Sequence, residues 1–405
     1  MIADEVEQTQ TDDEFVDEDV YTALPEHGLP ERRLKVDFQP WHHPRKQYVR
    51  IEQWCAGVRA LIPRLSLQTG DSFRYLTLPG NELLDVRALH GVCERAGINL
   101  RYLGFNSVGA NTASQSELAL SQSEVLALSN IDRLSMVLED RLESVVNSRS
   151  VAFKRTEQGG PFHAINLDLC DALTFREIGG RRGSPLEAMG KLLELQVQST
   201  SPWLLFVTTK AEPALVAEFA REGFMRAVNA NAEASSDFRQ ALADLIAADL
   251  MNLDEHLSSA WQDQDQKFLR IFCTGLGKWL LGILAQAAPP RDLELLSSCY
   301  YQSGPAGPDM LSLAFLCSTP PMPLHDPSAL LPSAPPSSPF SEVNSALKLA
   351  AQVANLFDLD AKVASAEGLA EKLIKQSTTL LASARYDADR YGLWARDKLN
   401  SQPAT

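Results

Sequence analysis

The sequence lacks the features that mark membrane, secreted and metal-binding proteins. No run approaches the roughly 18 uninterrupted apolar residues that a membrane-spanning helix needs, and the start, MIADEVEQTQTDDEF, has neither a basic nor an apolar segment. The six cysteines are far apart, with no C-x-x-C pair and no histidine at ligand spacing, which argues against a disulfide framework or a zinc site. We therefore expect a cytoplasmic protein without a membrane anchor and without a metal ion.

Three common catalytic motifs are also missing. The sequence contains no G-x-x-x-x-G-K-[ST] loop, which argues against phosphate-loop hydrolysis of nucleoside triphosphates. It contains neither G-x-S-x-G nor H-E-x-x-H, which removes the commonest hydrolase and zinc-protease templates. No internal repeat is visible, so a solenoid fold is not expected.

The charge is acidic overall but unevenly distributed. Residues 1–31 contain eleven Asp or Glu and no Lys or Arg, so the rest of the chain carries only −4 of the net charge of −15. A segment this acidic and this poor in apolar residues does not fold by itself. We predict a disordered acidic head over residues 1–35.

Two further boundaries follow from composition. The stretch PPMPLHDPSALLPSAPPSSP is too rich in proline for a helix or an inner strand, so we predict a linker over residues 319–340. Beyond it, apolar residues recur at helical spacing, which predicts two or three helices over residues 341–400. These helices are expected to dock either on the body of the protein or on a partner. The main domain is then residues 36–318.

Short apolar runs alternate with helical patterns in this main domain. The predicted strands are Phe73–Leu78, Ile98–Phe105, His163–Leu169 and Trp203–Val207. The helical patterns lie around residues 83–97, 123–131, 132–146 and 185–196, and a buried core helix is expected at 268–288. Strand and helix in repetition are typical of a parallel sheet with helices on both faces.

The end of the domain departs from this alternation. Leu293–Gln302 and Met310–Cys317 both have strand character, and the seven residues between them are too few for a crossover helix. The two strands should therefore pair antiparallel. The predicted fold is α/β, with a doubly wound, mostly parallel sheet that ends in an antiparallel hairpin, followed by a C-terminal helical segment.

This pattern over residues 70–318 resembles the class I S-adenosylmethionine-dependent methyltransferases, a Rossmann-like superfamily whose parallel sheet ends with an antiparallel seventh strand. The resemblance implies S-adenosylmethionine as cofactor. In the turn after the first strand, it implies that Gly80, Asn81 and Glu82 approach the cofactor, and it places Asn106 near the ribose. The turn has one glycine where the family usually has two or three, and Asn106 stands where an acidic residue is usual.

Acidic side chains accompany the strand Ala-Ile-Asn-Leu-Asp-Leu-Cys-Asp. Asn166, Asp168 and Cys170 share one face of this strand, and Asp171 is expected just past its end. Ligands of open α/β sheets bind at the carboxyl ends of the strands, so Asp168 and Asp171 should face the reacting centre, where a carboxylate can act as general base. The alternative is a structural network of paired polar groups. Residues 208–210 should border the same crevice.

The segment that precedes the sheet, residues 38–54, combines cations with aromatic rings. Its candidate contact residues are Trp41, His42, Arg45, Lys46 and Arg50. Aromatic faces with interleaved cations suit stacking on bases and neutralisation of phosphates. The alternative is a helix that packs its aromatic side chains on the sheet.

Two functional hypotheses follow. In the first, the protein is a methyltransferase-like enzyme that binds S-adenosylmethionine and uses Asp168 and Asp171 at the reacting centre. In the second, it is a catalytically inactive subunit of the same fold. That subunit would bind nucleic acid through residues 38–54, or a protein partner through this segment or the C-terminal helices.

Overall fold

The computed structural model describes residues 34–107, 111–175, 183–304, 307–320 and 340–400. The predicted acidic head and proline-rich linker lie almost entirely outside the described residues. From Val36 onward the chain belongs to one compact unit, which includes the predicted main domain and the C-terminal helices.

Eight strands of the described chain form one sheet. They are β1 (Ser72–Thr77), β2 (Asn99–Phe105), β3 (Met136–Leu138), β4 (Ala164–Ala172), β5 (Trp203–Lys210), β6 (Asp292–Tyr301), β7 (Met310–Ser318) and β8 (Phe357–Asp358). Their order across the sheet is β3-β2-β1-β4-β5-β7-β6-β8. Neighbours pair in parallel except where β7 meets β5 and β6. The expected α/β fold, with a mostly parallel sheet and an antiparallel hairpin, is therefore confirmed.

Helices cover both faces of the sheet. Their bounds are α1 (Pro44–Tyr48), α2 (Ala56–Leu61), α3 (Leu84–Arg95), α4 (Thr112–Leu126), α5 (Val151–Gly159), α6 (Pro185–Gln196), α7 (Glu218–Ala234), α8 (Ser236–Ile246), α9 (Leu253–Ser259), α10 (Gln266–Leu284), α11 (Glu342–Val353), α12 (Leu359–Ser365), α13 (Leu369–Ser383) and α14 (Ala388–Asn400). A π-helical segment, Val49–Cys55, joins α1 to α2.

The two faces of the sheet build two separate apolar layers. Along β5, Leu205 packs into the layer that contains α10, whereas Leu204 and Phe206 pack into the layer that contains α2 and α3. Successive side chains of a strand point to opposite faces, so a strand covered on both sides is mostly apolar and its buried polar side chains need hydrogen-bond partners. This requirement explains why the central strands read as continuous apolar runs.

The order of the central strands places a crevice at the carboxyl edge. β1 lies between β2 and β4, with Tyr75 opposite Tyr102 on one side and opposite Ala164 on the other. The connection after β1 therefore goes to one side, and the later connection goes to the other side. In sheets of this kind the two connections diverge at such a point and leave room for a ligand.

Several segments differ from the sequence-based predictions. The helix expected around 123–131 is instead α4, Thr112–Leu126, because the side chain of Asn111 accepts hydrogen bonds from the backbone N–H groups of Ala113 and Ser114 and starts the helix there. The helix predicted over 132–146 is wrong, because this stretch contains β3 and a 3-10 turn, Leu142–Val146. Pairing with the edge of β2, Leu103 opposite Met136, overrides the local helical pattern. The fourth strand is also longer than predicted. It continues to Ala172, and its pairing with β5 becomes irregular after Asp168.

The C-terminal region packs on the body. α11 contacts α10 and β6, while α13 contacts α1 and α3. β8, which the sequence did not predict, adds a short parallel strand beside β6. Four helices occupy this region instead of two or three. The helices α11 and α12 bury their apolar faces in the two core layers of the main domain, whereas α14 and part of α13 pack in a third cluster with Leu84 of α3.

A matched pair of glycine substitutions tests the contact between α10 and α11. At Gly277 a Cβ would lie 2.5 Å from Cδ2 of Leu349, a fully buried side chain of α11, whereas at Gly282 it would meet nothing within 4 Å. We expect Gly277→Ala to lower the free energy of unfolding by about 1–3 kcal/mol through overpacking. Gly282→Ala should raise it by about 0.5–1 kcal/mol, because alanine favours a helix.

Urea denaturation of both variants, followed by circular dichroism, measures these two changes. An equal effect of the two substitutions would mean that α11 does not pack on α10 at this glycine.

Candidate functional site

A cleft of about 1000 Å³ opens at the carboxyl edge of the sheet, beside the ends of β1 and β2 and along β4. This volume is at the upper end of the roughly 300–1,000 Å³ of typical small-molecule sites. Among the residues predicted from the sequence, the cleft is lined by Trp41, Arg45, Lys46, Arg50, Gly80, Asn81, Glu82, Asn106 and Asp168. The tertiary structure thus brings the turn after β1, the end of β2, the middle of β4 and the 38–54 segment to one place.

Close packing of neighbouring residues holds the turn after β1, and no unusual backbone conformation of Gly80 is involved. Gly80 does not adopt a positive φ, and a Cβ there would lie 3.5 Å from Glu82 Oε2, an ordinary contact. The close approach occurs instead at Gly104 in β2, where a Cβ would lie 2.9 Å from Cγ of Pro79. Leu83, fully buried, takes a left-handed conformation with φ of 52° just before α3. Such strain in a non-glycine residue is often stored beside functional sites.

The side chain of Asn106 is held through its amide nitrogen, and its amide oxygen remains without a hydrogen-bond partner in the described structure. Its Nδ2 donates hydrogen bonds to the carbonyl oxygen of Pro79 at 2.8 Å and to Asn81 Oδ1 at 3.1 Å. The carbonyl oxygen of Pro79 can only accept, so it determines which side of the Asn106 amide carries the nitrogen. The amide oxygen makes no hydrogen bond within the described structure and is available to a donor in the cleft. Asn81 is thereby engaged with Asn106, and the helix N-cap is Leu83.

Glu82 is a buried carboxylate whose position depends on the C-terminal region. It is 8% exposed, and its Oε1 accepts a hydrogen bond from the hydroxyl group of Tyr386 at 2.9 Å. Tyr386 lies between α13 and α14. Trp394 and Lys398 of α14 also line the cleft. The C-terminal helices therefore complete the wall of the cleft beside the turn after β1.

Sequence reasoning missed a buried polar network beneath this turn. Asp85, in the first turn of α3, accepts hydrogen bonds from the hydroxyl groups of Tyr75 and Thr77, and Asn166 Nδ2 donates to the Tyr75 hydroxyl at 2.8 Å. Burial raises the pKa of the Asp85 carboxyl, and the hydrogen bonds from Thr77 and Tyr75 oppose this shift. Asp85 also lines the cleft. The signal that could have identified Asp85 in the sequence is an acidic residue in the first turn of a helix that follows a strand.

The 38–54 segment is helical, and its cations are buried. Arg45, Lys46 and Arg50 are 8%, 6% and 5% exposed, and Trp54 is fully buried against Phe206 with ring centroids 6.5 Å apart. This arrangement matches the alternative derived from the sequence, a helix that packs its aromatic side chains on the sheet. Its π-helical segment is a form that is rare in proteins and frequent at functional sites.

Lys46 and Asp168 form a buried ion pair at the centre of the cleft. Lys46 Nζ donates a hydrogen bond to Asp168 Oδ1, and the ammonium group lies 5.1 Å from the ring centroid of Trp54. Burial lowers the pKa of Lys46, and the charge of Asp168 opposes this shift. Asp168 Oδ2 makes no hydrogen bond within the described structure, so one carboxylate oxygen is available to a ligand.

Arg45 connects the cleft to α12. Its Nη1 bonds both carboxylate oxygens of Asp360 at 3.0 Å and also the carbonyl oxygen of Gln302. Its Nε donates to His43 Nδ1 at 3.0 Å. Because Nδ1 accepts, the neutral His43 ring carries its proton on Nε2. Burial and the nearby Arg45 charge lower the pKa of His43 to about 3, so the ring stays neutral.

Two predicted site residues do not reach the cleft. The ring of His42 packs against Phe38, Trp41 and Tyr386, and its Nδ1 accepts a hydrogen bond from the backbone of Gln39. Asp171 is exposed and lies within β4, not past its end. Asp168 lines the cleft, whereas Asp171 does not.

Of residues 208–210, only Lys210 lines the cleft. Thr208 is buried and shares a hydrogen bond with Ser312 at 3.0 Å, and Thr209 donates to backbone oxygens. No group of three or more His, Cys, Asp or Glu side chains suited to a metal ion occurs within the described ranges. No helix among the residues the structure describes has the length and apolarity required to cross a membrane.

Residues 35–396 match the model of the PP_RS20740-like family. The chain belongs to this family. The match covers the 38–54 segment, the sheet and most of the C-terminal helices, so it includes the residues that line the cleft apart from Lys398. No curated protein matches the chain, and no solved structure matches it.

Removing one member of the Lys46–Asp168 pair should destabilise the protein in a pH-dependent way. Asp168→Asn leaves a buried ammonium group without its carboxylate, which costs about 3–5 kcal/mol near neutral pH. The pKa of Lys46 is already lowered from 10.5 and falls further in this variant. Between the folded-state pKa and 10.5 the unfolded chain binds more protons, so stability rises with pH. The deficit of the variant should therefore shrink as the pH is raised.

Denaturant unfolding at about pH 7 and about pH 9.5 measures this trend. Asp171→Asn is the matched control, because this exposed carboxylate of the same strand should change stability by less than about 0.5 kcal/mol. The double variant Lys46→Met with Asp168→Asn should recover much of the loss. A deficit that is independent of pH would contradict the buried pair.

Proposed function

We propose that the cleft binds S-adenosylmethionine or a related nucleoside and that the protein is a methyltransferase-like enzyme. The observation that carries this proposal is the convergence of the turn after β1, Asn106 and Asp168 on one cleft at the carboxyl edge. The strand order supports it, because β3-β2-β1-β4-β5 is a doubly wound order and is followed by an antiparallel seventh strand.

The residues on the cofactor side have the polarity that an adenosine group requires. The free amide oxygen of Asn106 and the carboxylate of Glu82 are acceptors for ribose hydroxyl or amino groups. Packing of Pro79 against Gly104 and the hydrogen bond from Tyr386 hold these acceptors in fixed orientations. A site whose side chains are already held in place loses little entropy when it binds a ligand. Gly80 has an ordinary backbone conformation, so this turn departs from the glycine-rich turn that is usual in S-adenosylmethionine-dependent methyltransferases.

Asp168 is the residue proposed to act on the methyl acceptor. S-adenosylmethionine supplies an electrophilic methyl group when it is bound. Lys46 holds Asp168 through Oδ1, which leaves Oδ2 to accept a proton from a hydroxyl or amino group of the acceptor. The ammonium group also stabilises the negative charge of this carboxylate. Asp171 has no part in this proposal, because it lies outside the cleft.

The second candidate is a catalytically inactive subunit of the same fold. The ordinary φ of Gly80 favours it, since the cleft has no glycine whose backbone must approach a pyrophosphate or a cofactor closely. Its nucleic-acid form is less favoured, because backbone phosphates need accessible cations and the three cations of residues 38–54 are buried. Trp41, 43% exposed, is the aromatic residue of this segment that remains accessible for stacking.

Calorimetric titration with S-adenosylmethionine and S-adenosylhomocysteine tests the proposal. We expect micromolar binding by the parent chain and no detectable binding by Gly80→Trp, whose indole would project into the cleft from an exposed position. Gly223→Trp is the matched control, because Gly223 lies in α7, outside the cleft, and a Cβ there would meet nothing within 4 Å. This control should bind as the parent does.

Asn106→Ala and Asp168→Asn separate the cofactor side from the reacting side. Asn106→Ala should weaken binding about tenfold, the value of one lost hydrogen bond in a buried site. Asp168→Asn should leave cofactor affinity nearly unchanged if the variant folds. If neither nucleoside produces a heat of binding with the parent chain, the cofactor site is rejected and the inactive subunit is favoured.

A further inference from the structure

Arg50 is a buried guanidinium group without an ion pair among the described residues. It is 5% exposed, lines the cleft, and makes one hydrogen bond, from Nη2 to the carbonyl oxygen of Trp41 at 3.0 Å. Its Nε is buried and has no partner. A guanidinium group has five N–H donors, so most of its hydrogen-bonding capacity is unused. Charged groups in this situation are expensive unless a partner of opposite charge is supplied.

The nearest carboxylates do not supply that partner. Asp168 and Asp85 act on Arg50 through their charges, but neither lies within ion-pair distance of it. Asp168 is committed to Lys46, and Asp85 accepts from Tyr75 and Thr77. The two carboxylates reduce the cost of the buried charge without satisfying its donors.

A second buried donor lines the same cleft. His43 also lines the cleft and is 6% exposed, and its Nε2 is buried without a partner. Its Nδ1 accepts from the backbone and side chain of Arg45, so Nε2 carries the hydrogen. Arg50 Nη2 bonds the carbonyl oxygen of Trp41, so the guanidinium group lies beside the backbone two residues before His43. The cleft is therefore bordered by two buried N–H groups without a hydrogen-bond acceptor and by one positive charge without a carboxylate partner among the described residues.

We propose that Arg50 and His43 form a subsite for an oxyanion, the carboxylate or phosphate group of a small-molecule ligand. A guanidinium group binds either anion through two parallel hydrogen bonds, and a neutral imidazole N–H adds a third. Aromatic and aliphatic residues beside it, among them Tyr301 and Met310, suit the uncharged part of such a ligand. The subsite proposal does not depend on the cofactor proposal, because anion binding can be measured in the absence of a nucleoside.

Titration of the full chain with succinate and with inorganic phosphate, at constant ionic strength maintained with sodium chloride, tests the subsite. Trp41 and Trp394 line the cleft, so tryptophan fluorescence reports occupancy. We expect a saturable change with at least one of the two anions and no saturable change with chloride alone. The stronger of the two identifies the ligand group as carboxylate or phosphate.

Variants of two arginines then locate the anion. Arg50→Met should weaken anion binding by about tenfold or more, since hydrogen bonds to a charged partner are worth that much. Arg141→Met is the matched control at the rim, where the side chain is 44% exposed and pairs with Glu143 at 3.0 Å. It should change affinity by less than about twofold. If Arg50→Met does not fold, Arg50→Lys decides, because lysine keeps the charge and loses the planar fork.

Repeating the titration with saturating S-adenosylhomocysteine identifies the source of the anion. Competition would mean that the carboxylate of the nucleoside itself occupies the subsite, and independent binding would mean that a second ligand does. Either result supports the subsite. The absence of saturation in the parent chain, or an equal loss in the Arg50 and Arg141 variants, would overturn it. Anion binding without nucleoside binding would reject the cofactor proposal and leave the subsite in place.

Discussion

The ion pair between Lys46 and Asp168 is the interaction on which the site depends. It joins the helix that precedes the sheet to the fourth strand, across the crevice that the strand order opens. A buried ammonium group is tolerated only beside a carboxylate, so the helix cannot move away from β4 without leaving an unpaired charge. The pair fixes one wall of the cleft and directs one oxygen of Asp168 toward its interior. The buried ring of Trp54 packs against the Lys46 ammonium group and supports its position.

A second set of contacts closes the cleft from the C-terminal side. Asp360 binds Arg45, and Tyr386 binds Glu82, so the C-terminal helices touch both the entry segment and the turn after β1. These helices are thus part of the site as well as part of the core. An isolated 36–318 fragment would expose the face of α10 that Leu349 covers and would lack one wall of the cleft.

The charges within the cleft divide into compensated and uncompensated groups. Lys46 and Arg45 each have a carboxylate partner, and Asp85 is held by two hydroxyl groups. Arg50 lacks such a partner within the described structure. This difference separates residues that hold the cleft together from a residue that is available to bind. It also explains why the 38–54 segment, rich in cations and aromatic rings, is suited to a small anionic ligand more than to the backbone of a nucleic acid.

The sequence by itself determined six of the eight strands and their alternation with helices, because continuous apolar runs and short connections have few other solutions. It also located the turn at Gly80 and the strand that contains Asp168. It did not determine β3, which depends on pairing with β2, or that the cations of residues 38–54 are buried. Only the tertiary structure decided which distant residues meet: Asp85 with Tyr75, Lys46 with Asp168, and Tyr386 with Glu82. Periodicity records which face of an element is apolar, whereas partners far apart in the chain are selected by packing, which no local pattern records.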